Sequence, residues 1–201
     1  KISYDIFKRD MEIALEGFTY KANRIPFTQF GGLQQTLAQL GAGTGAQPFK
    51  TVKDYDDWIS RAQKFVAWSD SAILYFKKGI VEKKVLPRAL VIKMIPQLED
   101  LQKDDATKSV FYGPVNRFPA GFAVADKERL TATYKDLITT YINPSYKKLT
   151  TFIKEEYLPK ARATSGIGAL PGGDKVYDYL IRVFTTTDKK PAELFNTGIA
   201  E

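Results

Sequence analysis

From Ser3 to Tyr157 the apolar residues recur at three- and four-residue spacing, which is the period of a helix with one buried face. The chain is therefore expected to be all-α, an irregular multi-helix bundle rather than a repeat array, since no internal period of solenoid length is present. Ile6, Phe7, Met11, Ile13, Leu15 and Phe18 predict a first helix to about Tyr20, with Ser3 as its N-cap. Phe30, Leu33, Leu37 and Leu40 predict a second after Pro26. Val52, Tyr55, Trp58, Ile59, Ala62 and Phe65 predict a third, capped by Thr51, with Asp54, Asp56 and Asp57 near the positive end of its dipole. Further helices are expected from about Ala67 to Lys83 and from Pro87 through Leu98, the last bent or shortened by Pro96.

Asp126 opens the longest periodic pattern, through Leu130, Tyr134, Leu137, Ile138 and Tyr141, then Tyr146, Leu149, Phe152, Ile153 and Tyr157. Pro144 falls between these sets, so the expectation is one long Pro-kinked helix or two helices in tandem. Asp174 is expected to cap a short helix through Leu180, and Pro191 to open a final one. Val183 to Thr187 is β-branched or aromatic throughout and reads as a short extended segment.

Two stretches lack this periodicity. Gly41 to Pro48 is glycine-rich, but Lys50-Thr51 follows Pro48-Phe49 without the glycine a phosphate-cradling loop requires, so it reads as a turn or linker. Lys103 to Ala125 contains Gly113-Pro114 and Phe118-Pro119-Ala120-Gly121 and reads as a long connection. Its aromatics Phe111, Tyr112, Phe118 and Phe122 can anchor it to the core or line a cleft. The 201 residues accordingly form a single helical domain, or a fragment of a larger protein, with a possible sub-boundary at 103–125.

The chain contains no histidine and no cysteine, so these residues alone offer neither imidazole nor thiolate as base, nucleophile or metal ligand. The formal charge of +7 comes from lysines spread among acidic neighbours, and no established nucleic-acid-reading motif is present, so no nucleic-acid partner is expected. No apolar run approaches the roughly 20 residues of a membrane span. Lys1-Ile2-Ser3 carries neither an initiator methionine nor a signal-peptide pattern, which suggests a removed N-terminus.

Five stretches occur in an order that carries a resemblance: Thr51-Val52-Lys53-Asp54-Tyr55, Leu86-Pro87-Arg88, Glu156-Tyr157-Leu158-Pro159-Lys160-Ala161-Arg162, Ala169-Leu170-Pro171-Gly172-Gly173 and Thr185-Thr186-Thr187. Together, from about residue 26 onward, they resemble the bacterial family catalogued as domain of unknown function 885. The resemblance implies a predominantly helical and much longer protein, related to zinc carboxypeptidase-like and thermolysin-like metallopeptidases. Its metal motif, a His-Glu followed by a Pro-Gly-His, would lie downstream. On that basis zinc belongs to the full-length parent and not to this chain, which would be inactive alone and would have the rest of the polypeptide and a peptide substrate as partners. A periplasmic or lipoprotein-anchored location is favoured over a cytoplasmic one. The alternative is a non-catalytic helical binding or scaffold module of the cell envelope. Phe195, ahead of Gly198, stands where the family tends to have a histidine, and Val183-Phe184 where it often has basic or histidine residues.

The substrate-binding candidates follow from chemistry. Arg182 could grip a carboxylate bidentately, or sit in a surface ion pair. Thr185, Thr186 and Thr187 could offer hydroxyls or a backbone edge, Gly172 and Gly173 could admit a close-approaching ligand or simply form a turn, and Tyr177 is carried with them. Glu155-Glu156 point about 100° apart on a helix and do not form a proton-sharing pair. Tyr141, Tyr146 and Tyr157 fall on one stripe and are expected to pack in the core.

Overall fold

A computed structural model describes residues 1–201, and it is helical throughout, with no strand and only two isolated β-bridges. Its spine is a near-continuous helical run from Val124 to Lys160. It comprises α6 (Val124–Asp136), a π-helical stretch Leu137–Ile142, α7 (Asn143–Phe152), a second π-helical stretch Ile153–Tyr157 and a 3₁₀ turn Leu158–Lys160. Pro144 does not separate two helices. It sits in the first turn of α7, directly after the π-helical stretch, where the shifted hydrogen-bond register already interrupts the ladder that the ring would break.

Around this spine pack α2 (Leu33–Gly41), α3 (Val52–Gln63), α4 (Phe65–Val81) and α5 (Arg88–Asp100). The periodic residues do what their spacing predicts. Tyr55, Trp58 and Phe76 from α3 and α4 are fully buried, as are Leu130, Tyr134, Ile138, Tyr146, Leu149 and Tyr157 from the spine. They belong to one cluster of 29 buried residues running from Phe27 to Tyr157. Ring contacts such as Phe76–Tyr157 at 4.7 Å and Phe65–Tyr146 at 4.9 Å tie the surrounding helices to it.

Local chemistry sets the ends. The Asp54 amide donates to Thr51 Oγ1 at 3.2 Å, and Asp54 Oδ2 accepts from the Thr51 amide at 2.8 Å, a reciprocal capping box that starts α3 where expected. Pro96 lies within α5, which continues to Asp100, so it does not shorten the helix. The connection expected over 103–125 ends at Ala123, after which α6 begins, and holds only short 3₁₀ turns. Phe111 and Tyr112 are buried in the core, while the Phe118 ring packs tilted and the Phe122 ring edge-on against Tyr55 at 5.3 and 5.5 Å, so these aromatics anchor the loop.

The terminal elements differ. α1 (Ile2–Gly17) and α9 (Pro191–Ala200) bury no residue, and α8 (Gly173–Thr185) buries only Gly173 and Ile181. Ser3 is not the α1 cap: it lies inside the first turn, with the Asp5 amide donating to the Lys1 carbonyl at 3.0 Å. Asp174 is not the α8 cap either, because left-handed Gly172 holds that position and Asp174 sits in the first turn. The expected extended segment at Val183–Thr187 is corrected as well. Val183, Phe184 and Thr185 complete α8 and Thr186 terminates it in the left-handed region. Two forces override β propensity there. The half-buried face of Val176, Leu180 and Val183 keeps the helical period, and Thr185 Oγ1 donates back to the Ile181 carbonyl at 2.8 Å.

Candidate functional site

The helical period of α1 and α8 lays them against each other at the edge of the bundle. Along their seam the Arg182 guanidinium donates bidentately to the Glu16 carboxylate, Nη1 to Oε2 at 2.9 Å and Nη2 to Oε1 at 2.6 Å. The Tyr20 hydroxyl donates to Glu16 Oε1 at 2.7 Å, and Arg9 Nη2 donates to the Arg182 carbonyl at 2.6 Å near the α8 C-terminus. Arg182, and then Tyr20, hold the Glu16 carboxyl below the usual carboxylate range, while the same carboxylate raises both Arg182 and the Tyr20 phenol. The fork proposed to hold a carboxylate is thus engaged by one supplied from α1.

The threonines cap the same helix. Thr185 Oγ1 lies 2.9 Å from Thr187 Oγ1 and accepts from the Thr187 amide at 3.3 Å, and Thr186 is exposed with φ 56°. Arg182, Thr186 and Thr187 share a small polar pocket with Arg9, Glu16 and Asp188. Gly172, with φ 71°, and Gly173 form a turn at the start of α8: a Cβ on Gly173 would lie 2.0 Å from the Ile167 carbonyl oxygen, so the 166–170 loop closes tightly there. Tyr177 is half-exposed on α8. The candidates therefore gather on one helix and its two ends, not in one cavity.

The largest concavity lies beside this seam. It is an open groove of about 630 Å³, walled by the end of α1, the 3₁₀ turns Phe18–Tyr20 and Ala22–Arg24, the loop at Ile167–Pro171 and one face of α8. Ala14, Phe18, Ile25, Leu170, Val176 and Leu180 give it a carbon surface, and the Tyr20 and Tyr179 rings meet at 4.9 Å. Lys21, Arg24 and Lys84 also line it, and no carboxylate does. The sequence reading missed this groove. Its one visible signal was the amphipathic face of α8, and the residues opposite lie far away in the chain.

Two of the stretches that carried the family resemblance are structural. Arg88 N donates to the Arg162 carbonyl at 2.8 Å, Arg162 N to the Leu86 carbonyl at 3.1 Å, and Leu86 N to the buried Tyr157 hydroxyl at 2.9 Å. The Arg162 guanidinium gathers the carbonyls of Val85, Thr164, Ser165 and Gly166. Leu86-Pro87-Arg88 and the Tyr157–Arg162 stretch are thus two halves of one clasp.

No group of three or more His, Cys, Asp or Glu side chains stands together as a metal ion would need. With imidazole and thiolate also absent, the residues of this chain do not fit zinc. No helix is long and apolar enough to cross a membrane.

Residues 1–201 match the family described as "Bacterial protein of unknown function (DUF885)". None of the curated proteins matches the chain. Among solved structures, "the putative lipoprotein from Colwellia psychrerythraea" superposes with a TM-score of 0.76 at 19% identity, over 87% of this chain and 30% of that one. At that identity the likeness is one of fold. This chain spans about 30% of the length of that structure.

Proposed function

We propose that this chain, which belongs to the DUF885 family of bacterial proteins, supplies one wall of the substrate cleft of a zinc-dependent, peptidase-like hydrolase whose metal site is built by other polypeptide. The observation that carries the reading is the surface of the terminal helices. Ile2, Phe7 and Leu15 on α1, Phe184 on α8 and Phe195 on α9 are each more than half exposed, and Phe18, likewise exposed, lines the open apolar groove. Apolar side chains left exposed in this number on three terminal helices favour an interaction surface over a finished exterior. Further support comes from the 30% of the similar structure that this chain spans.

On this reading the α1–α8 layer meets the rest of the polypeptide and faces the cleft. Arg182 would take a substrate carboxylate by exchanging Glu16 for it, while Thr185, Thr186, Thr187 and Tyr177 would contact substrate along α8 and Gly172 and Gly173 at its start. Zinc, when bound by the remaining polypeptide, would supply the activated water of a hydrolase. This chain's residues would bind and orient. The description of the similar structure as a "putative lipoprotein" supports a periplasmic or lipoprotein-anchored setting.

The test is an assay of peptide hydrolysis by the longer native polypeptide, with zinc and with a chelator, beside the 201-residue chain. Chelator-sensitive hydrolysis by the longer protein and none by this chain is the expected result. A zinc-loaded longer protein that hydrolyses no peptide would leave a non-catalytic binding or scaffold module of the envelope as the function.

A further inference from the structure

We infer that the groove between α1 and α8 binds a single-tailed anionic amphiphile, a fatty carboxylate whose chain lies on the apolar wall and whose head meets Lys84 and Lys21. The inference rests on the α1–α8 layer facing a cleft, as proposed above, but on none of the zinc chemistry.

Charge is the first argument. Three cations line the groove and no acid does. Arg24 is engaged by Glu82 at 2.8 Å and Lys21 reaches the same carboxylate at 3.5 Å, whereas Lys84 has no ion pair and donates only to the Tyr20 carbonyl at 3.0 Å. One carboxylate thus serves two of the three cations. The rim keeps a positive excess that a ligand's anionic head would complement.

The wall is the second argument. A peptide brings a donor and an acceptor for every residue, and each needs a partner once water is displaced. Apart from the cations, the polar side chains at the groove are Asn23, Tyr20 and Tyr179, and the Tyr20 hydroxyl is already engaged by Glu16. An alkyl chain makes no such demand and gains from every methylene it buries. The volume, about 630 Å³, falls in the range of small-molecule sites.

The experiment is calorimetric titration of the 201-residue chain with octanoate, decanoate, decanol and decyltrimethylammonium below their micelle concentrations. Decanoate should bind at one site, with affinity rising about fourfold per added methylene. It should bind tighter than decanol, and decyltrimethylammonium weakest. Lys84→Gln should weaken decanoate about ten- to a hundredfold and leave decanol unchanged, since the removed interaction is a hydrogen bond to a charge. Ala14→Trp, at an exposed helical position, should fill the groove and abolish binding of both, with unchanged circular dichroism as the control. Equal affinity for decanoate and decyltrimethylammonium would overturn the inference. So would binding of an apolar peptide but not decanoate, or loss of decanoate binding in the longer polypeptide. Hydrolysis by that polypeptide with no decanoate binding here would overturn this inference alone and leave the cleft reading intact.

Discussion

The Tyr157 hydroxyl shows how one atom can account for a motif. It accepts the Leu86 amide at 2.9 Å inside the core, joining chain segments 71 residues apart. Tyr157→Phe should therefore cost about 1–3 kcal/mol, because it leaves a buried amide without a partner. Urea unfolding measures this, and an unchanged midpoint would contradict the clasp. Burial also pushes the Tyr157 phenol up from its ordinary 10 to about 12, and raises Tyr134 and Tyr146 in the same direction. A folded pKa above the unfolded value means that the stabilisation is complete below pH 10 and is lost as pH rises toward 12. Stability should fall across that window, and less steeply in Tyr157→Phe, as denaturant midpoints at stepped pH would read. At this scale the sequence placed Tyr157 in the core. It did not disclose that Arg182 would meet Glu16, because 166 residues separate them and neither helix period names a partner.

Elements were legible where local chemistry decides and opaque where packing does. Thr51 is an N-cap by residue type and caps α3 as read, while Asp54, read only as a charge at the helix dipole, completes a reciprocal box with it. Thr51→Ala should cost about 1 kcal/mol, measured as a lower midpoint in thermal or urea unfolding, and no change would show that the cap does not limit α3. Hydrogen bonds from the backbone amides of Thr51 and Lys50 hold the Asp54 carboxyl below its ordinary range. Its contribution is therefore present above pH 3.8 and is lost as pH falls through the depressed folded value, so the Asp54→Ala and wild-type acid limbs should converge there. Val183 to Thr187 misled, and Pro96 left α5 at full length, for one reason. Propensity describes a residue in isolation, whereas the apolar stripe of α8, the length of α5 and the π-helical stretch before Pro144 are set by neighbours. The groove was illegible for a related reason, since residues 14–25, 84 and 167–180 converge only after folding.

The whole molecule has two tiers. A core of 29 buried residues from Phe27 to Tyr157 holds α2 to α7 together, while α1 and α8 meet each other along a polar seam and α1, α8 and α9 leave large apolar side chains exposed. Local stability follows burial, so the terminal helices should open far more readily than the spine. Hydrogen exchange followed by mass spectrometry, on the 201-residue chain and on the longer native polypeptide, tests the claim that this layer is a wall completed by other polypeptide. The account predicts fast exchange in α1 and α8 of the isolated chain, slowed at least tenfold in the longer protein, with the spine slow in both. Equal exchange of α1 and α8 in the two proteins would contradict it.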